Sequence, residues 1–343
     1  MSNENADRVT APASTQQPLV SILLIAYNQE HIVADAVKSV LAQTYAPLEI
    51  LISDDCSRDR TFDVIKAATE GYAGPHRVII NRNERNEGIS AHLSKLAGMS
   101  RGELIVVAAG DDISLPHRCS RIVECWLEHD RKPDLIASDL MELGSEGQTR
   151  ERLTPTDLSR YRSFEDWLEE RPHLVGAAHA WSRRLFERFG EMMPGAMAED
   201  QIMTFRAIMT GGALSLHEPL VLYRRGGLSG KRRWRTVDDF VARILQTNRF
   251  ALAEVAQLVK DAETAGVGPR MREALAGKLA RESYTRDVFA MRSLTGRLKL
   301  LATRNRVKWG FRIRMFLYAA FPRVYAPVFA LKRWRSDRRS LPQ

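Results

Sequence analysis

The sequence predicts an α/β protein with a mostly parallel sheet covered by helices on both faces, and three observations carry that reading. Apolar runs rich in Val, Ile and Leu alternate with helical patterns from Val20 to Ala137, as strand–helix–strand units require. One run, Leu104-Ile105-Val106-Val107-Ala108-Ala109, has no polar residue, which suits a strand buried on both faces. Two runs lead into paired carboxylates, Asp54-Asp55 and Gly110-Asp111-Asp112. Ligands of open α/β sheets bind at the carboxyl ends of strands.

In order, Val20 to Ile25 reads as a first strand ending at Ala26-Tyr27-Asn28. Glu30 to Gln43 then forms a helix with Ile32, Val33, Ala36, Val37, Val40 and Leu41 on one face. Leu48 to Ile52 is a second strand, Thr61 to Glu70 a helix, and Val78-Ile79-Ile80 a short third strand. A helix follows Asn86-Glu87-Gly88 and runs to about Met99; Leu104 to Ala109 is the fourth strand. Pro116 opens a helix to His129, a position where its missing N–H costs nothing, and Leu135-Ile136-Ala137 is a further strand. Beyond Arg150 the pattern loosens. Arg183 to Phe189 and Glu199 to Met209 read as helices, and Leu214 to Tyr223 as a strand or hairpin. The breaker cluster Gly226-Gly227-Leu228-Ser229-Gly230 marks a boundary, after which Val237, Phe240, Val241, Ile244 and Leu245 begin a helical stripe. The resulting division is a polar leader over 1–17, an α/β domain over 18–228, a helical extension over 229–296 and a basic tail over 297–343.

Cys56, Cys119 and Cys125 show no metal-ligand spacing, and so sparse a set suits a reducing compartment. Met1 to Gln17 lacks the apolar core of a signal peptide and reads as a disordered leader. These features predict a cytoplasmic protein. Its net charge of +9 is unevenly spread: from Arg297 to Arg339 there are thirteen Lys/Arg and one acid, Asp337, so the remainder is slightly acidic.

Taken alone, an acidic pair behind a strand is commonly a cap or turn former, and Asp59 ahead of Thr61 suits that role. Two pairs in a repeated α/β setting suit a nucleotide held by one and a divalent metal held by the other. Further signals occur in order: Ser39-Val40-Leu41-Ala42-Gln43-Thr44-Tyr45, Ser57-Arg58-Asp59-Arg60-Thr61, Gly102-Glu103-Leu104-Ile105, Pro116 after Asp112, and Glu199-Asp200. With the strand ends, their order and spacing over Pro18 to Tyr223 resemble glycosyltransferase family 2, whose members have the GT-A fold.

The resemblance implies roles residue by residue. Tyr27 flanks the nucleotide base, Asp55 accepts the base N–H, and Asp54 shapes the turn beside it. A uracil or thymine imide presents such a donor, which favours a UDP- or dTDP-sugar as the nucleoside-diphosphate sugar. Asp111 and Asp112 resemble the metal motif, Asp112 being the direct ligand of Mg²⁺ or Mn²⁺. Glu199-Asp200 resembles the pair that carries the catalytic base, with Asp200 first and Glu199 second; helix-dipole stabilisation alone would also place acids there. Two positions depart from the family pattern. Ala109 stands where the metal motif often has another Asp, and Gly230 stands where processive synthases have the Gln of Gln-x-x-Arg-Trp before Arg233-Trp234. The expectation is an inverting, non-processive hexosyl- or deoxyhexosyltransferase acting on a glycan or lipid-linked glycan in bacterial surface polysaccharide or glycolipid assembly. Ala26-Tyr27-Asn28-Gln29-Glu30 replaces the Gly-rich loop of nucleotidyltransferases and dehydrogenases. The alternatives are a sugar-nucleotide-binding protein without transferase activity and a nucleic-acid binder; the acidic body argues against nucleic acid.

In the tail, Met315 to Leu331 is 17 residues with one charge, Arg323, and two prolines, Pro322 and Pro327. A spanning helix needs roughly 20 apolar residues, and basic clusters on both sides oppose a single crossing. The expectation is a peripheral tail on the anionic inner face of the cell membrane, with Phe316, Leu317, Phe321, Val328 and Phe329 entering the interface.

Overall fold

The structure is a computed structural model that describes residues 17–144, 147–225, 236–303 and 306–327. The leader over 1–17 except Gln17, the breaker cluster at 226–230, and Val328 and Phe329 therefore lie outside the described residues. The strands are β1 (Val20–Ala26), β2 (Leu48–Asp54), β3 (Arg77–Arg82), β4 (Leu104–Ala109), β5 (Ile113–Ser114), β6 (Leu135–Leu143), β7 (Thr149–Leu153), β8 (His179–Ser182) and β9 (Ala213–Arg224). The α/β part carries helices α1 (Val33–Leu41), α2 (Thr61–Thr69), α3 (Ile89–Met99), α4 (Arg118–Glu128), α5 (Phe164–Glu169), α6 (Arg183–Phe189) and α7 (Glu199–Ile208). They are followed by α8 (Val237–Thr264), α9 (Gly268–Ala290), α10 (Leu294–Ala302) and α11 (Trp309–Ala320).

Among the described residues the strands form one sheet in the order β3-β2-β1-β4-β8-β6-β9-β5, with β7 beside β6. β3, β2, β1 and β4 are parallel, β8 runs against both its neighbours, and β6 and β9 are parallel. The expected parallel arrangement holds in β3-β2-β1-β4 and between β6 and β9, while antiparallel pairings of β8, β5 and β7 make the sheet as a whole mixed.

Alternation along the strands feeds two cores. Leu23, Leu51, Ile105 and Val107 meet α3, α5, α6 and α7, while Ile22, Leu24, Ile50, Ile52, Val106 and Ala108 meet α1, α2 and α4. The first core continues into the C-terminal helices: Val255, Leu258 and Ala262 of α8 and Met271 and Leu275 of α9 belong to it. Arg206 of α7 and Asp261 of α8, both fully buried, form a two-pronged ion pair with Nε–Oδ2 at 2.8 Å and Nη2–Oδ1 at 3.0 Å. Gln257 donates to Asp261 Oδ1 at 2.8 Å and accepts from the Met193 amide at 2.6 Å.

Several element limits differ from the sequence reading. α1 begins at Val33 rather than Glu30, because Glu30 is engaged with the Asp59–Arg60 turn. α4 begins at Arg118 rather than Pro116, whose carbonyl instead accepts from the Thr44 amide at 2.9 Å. Residues 213–224 make one strand and no hairpin.

Candidate active site

The parallel registers Ile25↔Ala109 and Ala26↔Asp54 bring Tyr27, Asp55 and Gly110-Asp111-Asp112 to one edge of the sheet. The loops after β1 and β2 interlock there. Asn28, at φ 51, donates its amide to Ser57 Oγ at 2.8 Å and accepts from the Arg58 amide at 2.9 Å. The Gln29 amide donates to Thr61 Oγ1 at 2.7 Å. Asp59 accepts from the Thr61 amide at 3.0 Å, the turn-forming role expected of it. Half-buried Tyr27 is carried on this double loop.

Asp54 and Asp55 diverge, as successive strand residues do. Asp54 is fully buried and turned inward, accepting from the amide and hydroxyl of Ser57 and pairing with Arg82 Nε at 3.2 Å. Asp55 turns toward the loop after β3. Its Oδ1 accepts from Asn83 Nδ2 at 2.8 Å and the Glu87 amide at 2.9 Å, and its Oδ2 from the Gly88 amide at 2.9 Å. Asn86 Nδ2 donates to the Asp55 carbonyl at 3.2 Å. Asn86-Glu87-Gly88 is therefore the strap that holds Asp55. Gly88 sits at φ 79, ψ 160, a region that only glycine occupies readily. A carboxylate offers about four acceptor positions, so three internal donors leave room for one from outside.

Gly110 lets the loop after β4 lie close against the end of β1. A Cβ there would lie 2.4 Å from Gln29 Oε1 and 2.9 Å from Ala26 Cβ. The Gln29 side chain also hydrogen-bonds Asp111. Asp112 is 5% exposed, and its Oδ1 accepts from the Arg224 amide at 2.9 Å. Burial, and then the charge of Asp111, push the Asp112 carboxyl up to about 7; burial also raises Asp111. Two desolvated, mutually repelling carboxylates are a fitting oxygen donor set for a divalent cation. Among the described residues no third His, Cys, Asp or Glu joins them in a metal-holding group.

Buried Arg118, whose charge acts on Asp112, reaches toward the second pair. Its Nη1 donates to Ser114 Oγ at 3.0 Å and its Nη2 to the Ala177 carbonyl at 2.7 Å. The adjoining Gly176 lies against Glu199, since a Cβ there would come 2.3 Å from Glu199 Oε1 and 3.8 Å from Asp200 Cβ. Glu199 and Asp200 form the first turn of α7, where Asp200 Oδ1 accepts from the Gln201 amide at 2.7 Å. Burial foremost, and the charge of Asp200, raise the Glu199 carboxyl; burial raises Asp200 as well.

The sequence reading missed Gln29, Asn83, Arg118, Gly176 and the Arg224 amide. Asn86-Glu87-Gly88 was visible as a motif without a role. The Arg224 and Arg225 side chains pair with Asp35 at 3.0 Å and Glu142 at 2.9 Å.

The sequence model described as Glycosyl transferase family 2 matches residues 21–190. The chain is 27% identical to the succinoglycan biosynthesis protein ExoO of Rhizobium meliloti, over 85% of this chain and 90% of that one. It is 28% identical to EpsE of Bacillus subtilis, named as a glycosyltransferase, over 40% of this chain and about half (49%) of EpsE. The fold resembles S. aureus TarS 1–349 in complex with UDP-GlcNAc, with a TM-score of 0.52 at 14% identity over 88% of this chain and 87% of that one. It also resembles the mannosyltransferase PcManGT of Pyrobaculum calidifontis in complex with GDP-Man and Mn²⁺, with a TM-score of 0.50 at 17% identity over 92% and 89%. With a GT-A sheet and a matching domain over 21–190, the chain belongs to glycosyltransferase family 2.

Proposed function

We propose that the chain moves one hexosyl or deoxyhexosyl unit, with inversion, from a UDP- or dTDP-sugar to a hydroxyl of a glycan or lipid-linked glycan. Surface polysaccharide or glycolipid assembly at the cytoplasmic face of the cell membrane is the setting. The observation that supports this reading is the sheet edge where Asp55, held by Asn83 and the Glu87 and Gly88 amides, stands with the buried pair Asp111–Asp112. The UDP-GlcNAc bound by TarS and the name of ExoO support the donor class and the setting.

In this reading Tyr27 flanks the base, Asp55 accepts its imide N–H, and Asp54 fixes the turn. Asp112, with Asp111, would hold Mg²⁺ or Mn²⁺, which supplies positive charge beside the leaving diphosphate. Asp200 takes the proton of the acceptor hydroxyl as that oxygen attacks the anomeric carbon from the face opposite the leaving group. Glu199 stands beside it as the second carboxylate.

Thermal-shift screening of the purified protein against a panel of sugar nucleotides with Mn²⁺ tests the donor class, and two substitutions test the sites. Asp112→Ala is expected to abolish metal-dependent transfer with the fold intact; normal turnover with unchanged metal dependence would overturn the ligand assignment. Asp55→Ala is expected to raise the donor KM more than tenfold, because a hydrogen bond to a charged partner contributes about 1.5–3 kcal/mol. Unchanged donor affinity would remove Asp55 from base recognition.

A further inference from the structure

Exposed apolar side chains concentrate at the end of the described chain. Of the thirteen exposed large apolar residues among the described ones, six fall between Leu294 and Val324: Leu294, Leu298, Trp309, Leu317, Phe321 and Val324. Val324 is 71% and Trp309 55% exposed. On α11, Trp309, Ile313 and Leu317 recur every four residues and form one stripe. The opposite side of the helix packs inward, where Met315 and Ala319 meet Tyr284 and Val288 of α9. Phe316 is also buried, which removes it from the interface residues expected from the sequence.

Charge accompanies that stripe. From Val288 to Ser336 the chain has no Asp or Glu. Lys299, Arg306, Lys308, Arg314 and Arg323 are exposed and make no ion pair among the described residues. Two other cations brace the hairpin instead. Arg312 is buried and donates to the last carbonyls of α10, those of Leu300, Leu301 and Thr303. Arg297 donates to the Met291 and Ala319 carbonyls at 2.8 and 2.7 Å. Among the described residues no helix is long and apolar enough to cross a membrane.

We infer that the α10–α11 hairpin with the Pro322–Tyr325 turn is an interfacial docking surface for an anionic lipid bilayer. Trp309, Leu317, Phe321 and Val324 enter the headgroup layer, and Lys299, Arg306, Lys308, Arg314 and Arg323 face its phosphates. Fixed apolar side chains, flanked by cations that make no ion pair among the described residues and carried on a segment without Asp or Glu from Val288 to Ser336, match a surface that is negative outside and apolar beneath. Trp309 has the amphipathic ring that settles at that boundary. The inference rests on the membrane location proposed above and assigns it to particular residues.

The test is co-sedimentation of the full chain with vesicles of 30% phosphatidylglycerol in phosphatidylcholine and with phosphatidylcholine alone. The two groups replaced in Trp309→Gln/Val324→Gln are on the surface, so the variant's circular dichroism should match the parent's. The parent is expected to bind the anionic vesicles selectively, and the variant about tenfold less. Equal binding of parent and variant, equal binding to neutral vesicles, or self-association of the parent without lipid that the variant loses would each overturn the assignment. Transfer to a soluble acceptor is measured in parallel and should not change in the variant. Loss of transfer in both proteins with lipid selectivity intact would count against the reaction and leave the docking surface standing.

Discussion

Asp200→Asn is expected to lower kcat by about 10²–10⁴-fold with donor binding preserved, because the amide fills the same space and cannot take the acceptor's proton. The wild-type pH profile supplies a second readout. Burial raises Asp200 and its neighbour Glu199, so the ionised base forms only above the ordinary carboxylate range. Activity is therefore expected to fall as pH drops through that raised value. The variant should lose the part of this acid limb that belongs to Asp200. A third consequence has the opposite sign. A carboxylate raised in the folded state is ionised at a cost at neutral pH, so Asp200→Asn should unfold at the same or a higher temperature than the parent. A drop in kcat of less than tenfold would move the base to Glu199.

Asp261→Ala is expected to destabilise the protein by about 3–5 kcal/mol, since Arg206 would keep its buried charge without a counter-ion. In a protein of this size that lowers the thermal midpoint by on the order of 10 °C. Replacing the pair together, as Arg206→Met/Asp261→Leu, should recover most of the loss, because a buried ion pair is often no more stabilising than apolar residues of similar volume. If the double replacement is as unstable as the single one, charge burial is not the cause. Arg206 is on the helix that Glu199 and Asp200 open, so the single variant should also lose activity below its unfolding temperature.

The catalytic sheet was legible because its inner strands are buried on both faces and so remain apolar without interruption, as in Leu104–Ala109. α5 and β7 were not. β7 is an exposed edge segment, Thr149-Arg150-Glu151-Arg152-Leu153, with no apolar alternation. α9 places Glu282 and Thr285 among its buried positions and so lacks a clear stripe. In the candidate site, acidic pairs at strand ends could be named from the sequence, but what holds them could not. Asp55 is fixed by the Glu87 and Gly88 amides and Asp112 by the Arg224 amide, and a backbone N–H has no side-chain signature. Arg206 and Asp261 have the composition of surface charges, and only their packing makes them an interior pair. In the tail, the apolar letters were visible while the side of α11 facing α9 was not, which is why Phe316 was misplaced.

The amide that holds Asp112 is supplied 112 residues later in the chain. This imposes an order on assembly. The Asp55 clamp is made from β1, β2, β3 and the loop ending at Gly88, all joined by short crossovers. The carboxylate pair must wait, because β6 meets β4 only across β8, and β9 docks on β6 before Arg224 can reach Asp112. Non-local pairings of this kind form late, after a large loop has closed. During synthesis, a nascent chain shorter than Arg224 can therefore complete the Asp55 clamp while Asp112 still lacks its backbone partner.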